Sequence, residues 1–234
     1  MSGKIRFGKT WFAYDVLYVP RKTMEIAVHP NKKVVVKAPQ KITAAEIESK
    51  VRKRARWVLR QIDYFEQFEP RTPVRRYVSG ETHLYLGRQY RLKVIKADAN
   101  QIKLKRGWIL VELEADKSPG LVKAQLELWY RSKAWEHFLT SLEQCMYNFA
   151  RRGYNMPELQ VRKMRTRWGS LSPNGTLTLN LSLIQAPREC IEYVITHELC
   201  HLEYDDHRPA FYKLLEKLIP DWEKRKRKLE LALV

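Results

Sequence analysis

Residues Ile191–Tyr204 read IEYVITHELCHLEY. The periodicity is helical: at about 100° per residue, Ile191, Val194, Ile195 and Leu202 fall on one apolar stripe. On such a helix His197 and His201 stand one turn apart on a neighbouring face. Both imidazoles can then reach a single metal ion at about 2.0–2.1 Å. Glu198 falls between the histidine pair and the apolar stripe, where a carboxylate without a partner is costly. A metal-activated water supplies that partner and a proton to accept, which is the general-base role in an HExxH helix. The chain must therefore fold so that a largely buried helix presents one polar face to a divalent ion.

A hydrolytic site of this kind takes a third protein ligand and leaves a fourth position open for water. His207 is the leading choice: Asp205-Asp206 interrupts the helix, and Pro209 is placed to start the next one, so the turn can swing His207 back. Glu203, Asp205 and Asp206 are rival third ligands. Cys200 points elsewhere around the helix and reads as a small buried residue, as do Cys145 and Cys190. Three cysteines without CxxC spacing argue against a disulfide framework and a cysteine-only metal site.

The rest of the chain predicts an α+β fold. Residues 9–37 alternate as three short strands with a turn at Pro30-Asn31. Thr43-x-x-Glu46 is a capping box, and the apolar spacing behind it predicts one long helix over 43–68. A Pro-rich break at 70–76 precedes hairpins across 77–114. Ser118-Pro119 opens a second long helix, 119–152. Two strands then flank a Ser-Pro-Asn-Gly turn at 172–175, and the tail from Pro187 is helical in three pieces. The order predicts a β-rich N-terminal region with one long helix over 1–117 and a metal-dependent catalytic region over 118–234, which can pack as a single unit. In the latter, the HExxH helix packs on a small antiparallel or mixed sheet.

Charge narrows the function classes. Forty-four Lys and Arg against 26 Asp and Glu give a net charge of +18 among 234 residues. Such a field attracts polyanions, including nucleic acid. No run is apolar enough for a membrane span and the N-terminus lacks a signal-peptide core, so a cytoplasmic protein is expected. The oligomeric state is left open.

Arg167-Trp168-Gly169-Ser170, Thr176–Asn180, a Pro, Tyr193-Val194, HELCHL, then His207 and Phe211 follow one another in this order. Together they resemble the YgjP-like metallopeptidase family, within a wider group that includes SprT-like and WLM zinc proteases. The resemblance is strongest over 155–223. It implies a zincin-type hydrolase with one Zn²⁺ held by His197, His201 and His207, with Glu198 as base. One departure is Leu171, where the family often carries Cys after RWGS. Some members are catalogued as UTP pyrophosphatases, so a peptide or protein substrate and a nucleotide substrate are both implied.

Arg165 and Arg167, read as alternate positions of a strand, would face one side and either bind phosphate or a substrate carboxylate or form a solvated basic face. Thr176–Leu183 is either an edge strand near the metal or a core strand. Tyr193, Tyr204 and Arg167 are possible oxyanion stabilisers. Lys50, Arg52, Lys53, Arg54, Arg56 and Arg60 surround Trp57, and Lys224–Lys228 are consecutive cations; both are either nucleic-acid contacts or solvated faces. A third reading of the chain is a non-catalytic nucleic-acid-binding module with a structural metal.

Overall fold

The computed structural model describes residues 2–29, 31–66, 75–114, 117–165 and 167–233. Among these the chain forms two compact units, one up to Glu66 and one from Arg75 to Leu233. Positions 67–68 of the expected first helix, Pro30 of the expected turn and most of the Pro-rich stretch lie outside the described residues.

In the first unit, β1 (Ser2–Phe7), β2 (Thr10–Tyr18), β3 (Glu25–Val28) and β4 (Val34–Ala38) form a sheet of order β1-β2-β4-β3. The strand β1 and the parallel pairing of β2 with β4 were not expected from the alternation. Alternate residues of β2 (Phe12, Tyr14, Val16) and β4 (Val34, Val36, Ala38) are buried, as strand geometry requires of a one-sided sheet. The helical region covers them with Ile47, Val51, Ala55 and Val58. The capping box forms: Thr43 Oγ1 accepts from Glu46 N at 3.3 Å, and Glu46 Oε2 accepts from Thr43 N at 2.9 Å. The expected single helix is two, α1 (Ala44–Lys53) and α2 (Ala55–Glu66), broken at Arg54. Periodicity cannot reveal a break that leaves the apolar stripe in phase.

In the second unit, β5 (Thr82–Tyr85), β6 (Arg88–Lys96), β7 (Gln101–Lys105) and β8 (Trp108–Leu113) form a sheet of order β5-β6-β8-β7. Its pairings repeat those of the first sheet: two antiparallel hairpins joined by a central parallel pair, here β6 with β8. No sequence repeat accompanies this repeated topology.

Helix α3 (Pro119–Ala150) is the spine of the second unit. Ser118 caps it, and Val122, Leu126, Tyr130, Ala134, Phe138, Leu142 and Met146 form a buried stripe at four-residue spacing. Trp135 is exposed. The same core cluster joins this stripe to Leu92, Ile109 and Val111 of the sheet and to Ile191 and Ile195 of the HExxH helix. The strands of 82–113 thus bury their apolar face on the helix that also supports the HExxH segment.

A three-stranded sheet of order β10-β11-β9 follows, from β9 (Glu158–Arg162), β10 (Gly169–Leu171) and β11 (Thr176–Asn180). β11 is its central strand, so the edge-strand reading of Thr176–Leu183 does not hold. The Ser172–Gly175 turn forms as expected, closed by Ser172 N to Thr176 O at 2.9 Å, with Gly175 at φ +76°. The tail comprises α4 (Arg188–Cys200), α5 (Pro209–Leu218) and α6 (Trp222–Leu233). No helix among the described residues is long and apolar enough to cross a membrane.

Candidate metal centre

Helix α4 carries His197 and Glu198, and His201 follows as its C-terminal cap. Pro209 opens α5, as expected, and the intervening turn returns His207 to the other two imidazoles. One nitrogen from each of His197, His201 and His207 lies within 4.8 Å of the others. The Nε2 atoms of His197 and His207 are 3.0 Å apart. Two ligands bonded to one tetrahedral ion at 2.0–2.1 Å stand about 3.3 Å from each other.

Each imidazole is prepared for ligation. His201 Nδ1 lies 2.9 Å from the Tyr204 carbonyl, which can only accept, so Nδ1 carries the proton and Nε2 keeps its lone pair. Burial, then the proximity of His207 and His201, pulls His197 down to about 4. Burial and His201 lower His207 as well. His197 Nδ1 is buried without a hydrogen-bond partner among the described residues, so none of them offers an acceptor to stabilise an imidazolium there. The buried Phe211 ring sits at 5.0, 4.8 and 4.6 Å from the rings of His197, His201 and His207 and packs against all three.

The rival ligands are engaged elsewhere or stand apart. Glu203 pairs with Arg152, and Asp206 pairs with Arg208 at 2.8 Å. Asp205 lines the cleft but is not in the ligand cluster. Cys200 is fully buried, its thiol pushed up to about 12 by desolvation. Three imidazoles with no carboxylate among them suit a borderline-soft divalent ion and not the oxygen cages of Mg²⁺ or Ca²⁺. The residues present fit a metal.

The imidazoles open on a cleft of ≈ 580 Å³ whose lining includes Glu198, Arg167, Gly169, Ser170 and Ser172. Burial raises the Glu198 carboxyl, opposed by the neighbouring His201 imidazole, the Leu171 N–H and Arg167. Leu171 N donates to Glu198 Oε2 at 3.2 Å. Position 171 thus serves the site through its backbone, which is indifferent to Cys or Leu.

Sequence reading missed Gly169. A Cβ there would stand 2.8 Å from Glu198 Cγ and 2.9 Å from Oε1, closer than side chains approach. The signal was present in RWGS, since a glycine within a strand marks close approach by another group. Gly169→Ala is expected to displace the carboxylate and lower kcat by on the order of 10–100-fold with metal content intact. Equal kcat for the two proteins would show that the strand gives way instead.

The two arginines are not placed as a strand would place them. β9 ends at Arg162 and β10 begins at Gly169, so Arg165 and Arg167 lie in the connection. The buried Asn180 side chain takes the carbonyls of Met164 and Arg167 at 2.9 and 3.0 Å, bonds that replace a ladder. Its Oδ1 accepts from Ser182 N at 3.1 Å, capping the 3-10 turn Leu181–Gln185 where the strand ends. Arg167 lines the cleft; Arg165 is exposed and is not among its lining residues. Trp168 is partly buried and packs on the core. Tyr193 is buried beside His197, and Tyr204 contributes its carbonyl to His201; neither is among the residues lining the cleft.

A family model described as YgjP-like, metallopeptidase domain, matches residues 22–232. Two solved structures are similar over part of the chain. The metallopeptidase zymogen abylysin of Pyrococcus abyssi is 24% identical, covering 41% of this chain and 94% of its own, at a TM-score of 0.37. The metallopeptidase zymogen jannalysin of Methanocaldococcus jannaschii is 18% identical, covering 42% of this chain and 90% of its own, at 0.37. No curated protein matches the sequence.

Proposed function

The chain belongs to the YgjP-like metallopeptidase family, and on that basis we propose that it is a zinc-dependent hydrolase of peptide bonds with Glu198 as general base. The observation that carries this reading is the convergence of three imidazole nitrogens within 4.8 Å, in the cleft that Glu198 also lines. His197, His201 and His207 would hold the ion. When bound, a divalent ion there supplies Lewis acidity, acidifying water and polarising a carbonyl.

The protein's own groups do the rest. Leu171 N–H occupies Glu198 Oε2 and orients the carboxylate, whose remaining lone pairs accept a proton from the attacking water. The same carboxyl can return that proton to the departing amine. Arg167, exposed at the cleft, is the cation available to charge that develops on the substrate. Neighbouring groups hold these in place: Phe211 packs on the imidazoles, Tyr204 O accepts from His201 and Asn180 donates to the Arg167 carbonyl.

Arg167 also supports a second reading, hydrolysis of the phosphoanhydride of a nucleotide such as UTP at the same site. A purely structural metal is less consistent with the donor set, because such sites normally use four protein ligands and the cluster holds three. The test is metal analysis of purified protein, then parallel assays on casein or a peptide library and on UTP. About one zinc per chain with peptide cleavage is expected. UTP hydrolysis without proteolysis would replace the first reading by the second, and protein that takes up no metal would end both.

A further inference from the structure

The first unit contains a groove that the metal centre does not use. It measures ≈ 600 Å³, within the roughly 300–1,000 Å³ range of ligand clefts. Met24, Ile26, Pro39 and Trp57 form its apolar part, and Lys22, Lys50, Lys53 and Arg54 its cationic part. No Asp or Glu is among the described residues that line it.

The sequence spacing makes this arrangement. Lys50, Lys53, Arg54 and Trp57 stand at i, i+3, i+4 and i+7, one stripe of the helical region. Ile47, Val51, Ala55 and Val58 form a second stripe that is buried on the sheet. Trp57 is half-buried against that core, so its ring is held while one part lines the groove. The break between α1 and α2 falls at Arg54, within the cationic stripe.

The charges are uncompensated. Lys22, Lys50, Lys53 and Arg54 are exposed, and none forms an ion pair among the described residues. Lys50 acts electrostatically on Glu46, but that carboxylate is committed to the capping box. Arg52, one position off the stripe, is by contrast paired with Glu48 at 2.8 Å. Residues 1–66 hold fifteen Lys and Arg against six Asp and Glu, a net +9, half of the +18 of the whole chain.

We propose that this groove binds single-stranded nucleic acid, with backbone phosphates on Lys22, Lys50, Lys53 and Arg54 and a base against Trp57 and its apolar neighbours. A cationic track beside a fixed aromatic ring is the combination such binding needs: the charges hold the backbone and the ring accepts any base. A duplex buries its bases and could use only the charges. An acidic peptide would leave the ring without a flat partner.

The test is fluorescence anisotropy of labelled oligothymidylate with the full-length chain, repeated over a range of salt concentrations. Lys50→Glu combined with Lys53→Glu alters exposed positions only and should weaken binding at least about tenfold. The salt slope should flatten by about 0.7 for each cation lost. Trp57→Ala should weaken it by roughly tenfold through lost stacking, with thermal denaturation run alongside because the ring also packs on the core. Lys224→Glu with Arg227→Glu, exposed cations of α6, serves as the control and should stay within about twofold of the unaltered protein. The proposal is overturned if oligothymidylate does not bind, if the lysine variant binds as the unaltered chain does, or if the control weakens equally. It is also overturned if inorganic polyphosphate competes as well as oligothymidylate, which would mark a charge sink, or if UTP does so, which would mark a mononucleotide pocket.

Discussion

Glu198→Gln lowers the hydrolytic rate by about 10²–10⁴-fold while metal content stays at that of the unaltered protein. The amide is nearly isosteric, so the close packing against Gly169 is preserved. Its oxygen can still accept from Leu171 N–H, as the carboxylate does at 3.2 Å. What disappears is the capacity to take a proton. The metal ligands are untouched, because the ligand cluster comprises imidazoles only. Single-turnover rates on whichever substrate the protein cleaves, with metal quantified on the same samples, make the comparison. A glutamine variant as fast as the unaltered protein would remove Glu198 from the chemistry, and one that lost its metal would make the residue structural.

The second large effect is on metal affinity. His201→Ala removes one of three nitrogens and should weaken metal binding by more than about 100-fold, taking activity with it. His201 is the suitable position because its role is already set by the bond from Nδ1 to Tyr204 O at 2.9 Å. It also caps α4 in a right-handed conformation that alanine adopts without strain, so the variant should fold. Cys200→Ala, one residue away, is the matched control: its sulfur is fully buried and outside the ligand cluster, and metal content should not change. Competition against a chromophoric chelator measures both. Equal zinc affinity for His201→Ala and the unaltered chain would place the ion elsewhere.

The local signals in this chain were strong where chemistry and backbone agree. Thr43 and Glu46 announced a capping box, Ser118-Pro119 a helix start and Pro209 another; Thr43 and Ser118 each accept from an N–H three positions on, and Pro209 brings a backbone angle already suited to the first helical position. The arginine pair failed for the opposite reason. Arg165 and Arg167 look like alternate strand positions, but Asn180, distant in sequence, takes the carbonyls that a ladder needs. Strand β1 and the parallel β2–β4 and β6–β8 pairs were likewise invisible, since pairing partners across a crossover leave no mark on local alternation.

By itself, the sequence determined the HExxH helix, the two histidines one turn apart on it, the acid between them and the break after which a third histidine follows. These depend on helical geometry and on caps, which act over a few residues. Only the tertiary structure decided that His207 turns back while Glu203 and Asp206 pair elsewhere, that β10 passes close enough to Glu198 to require glycine, and that Leu171 holds the carboxylate by its amide. Those outcomes depend on which distant segments share a core, and no local pattern encodes that choice.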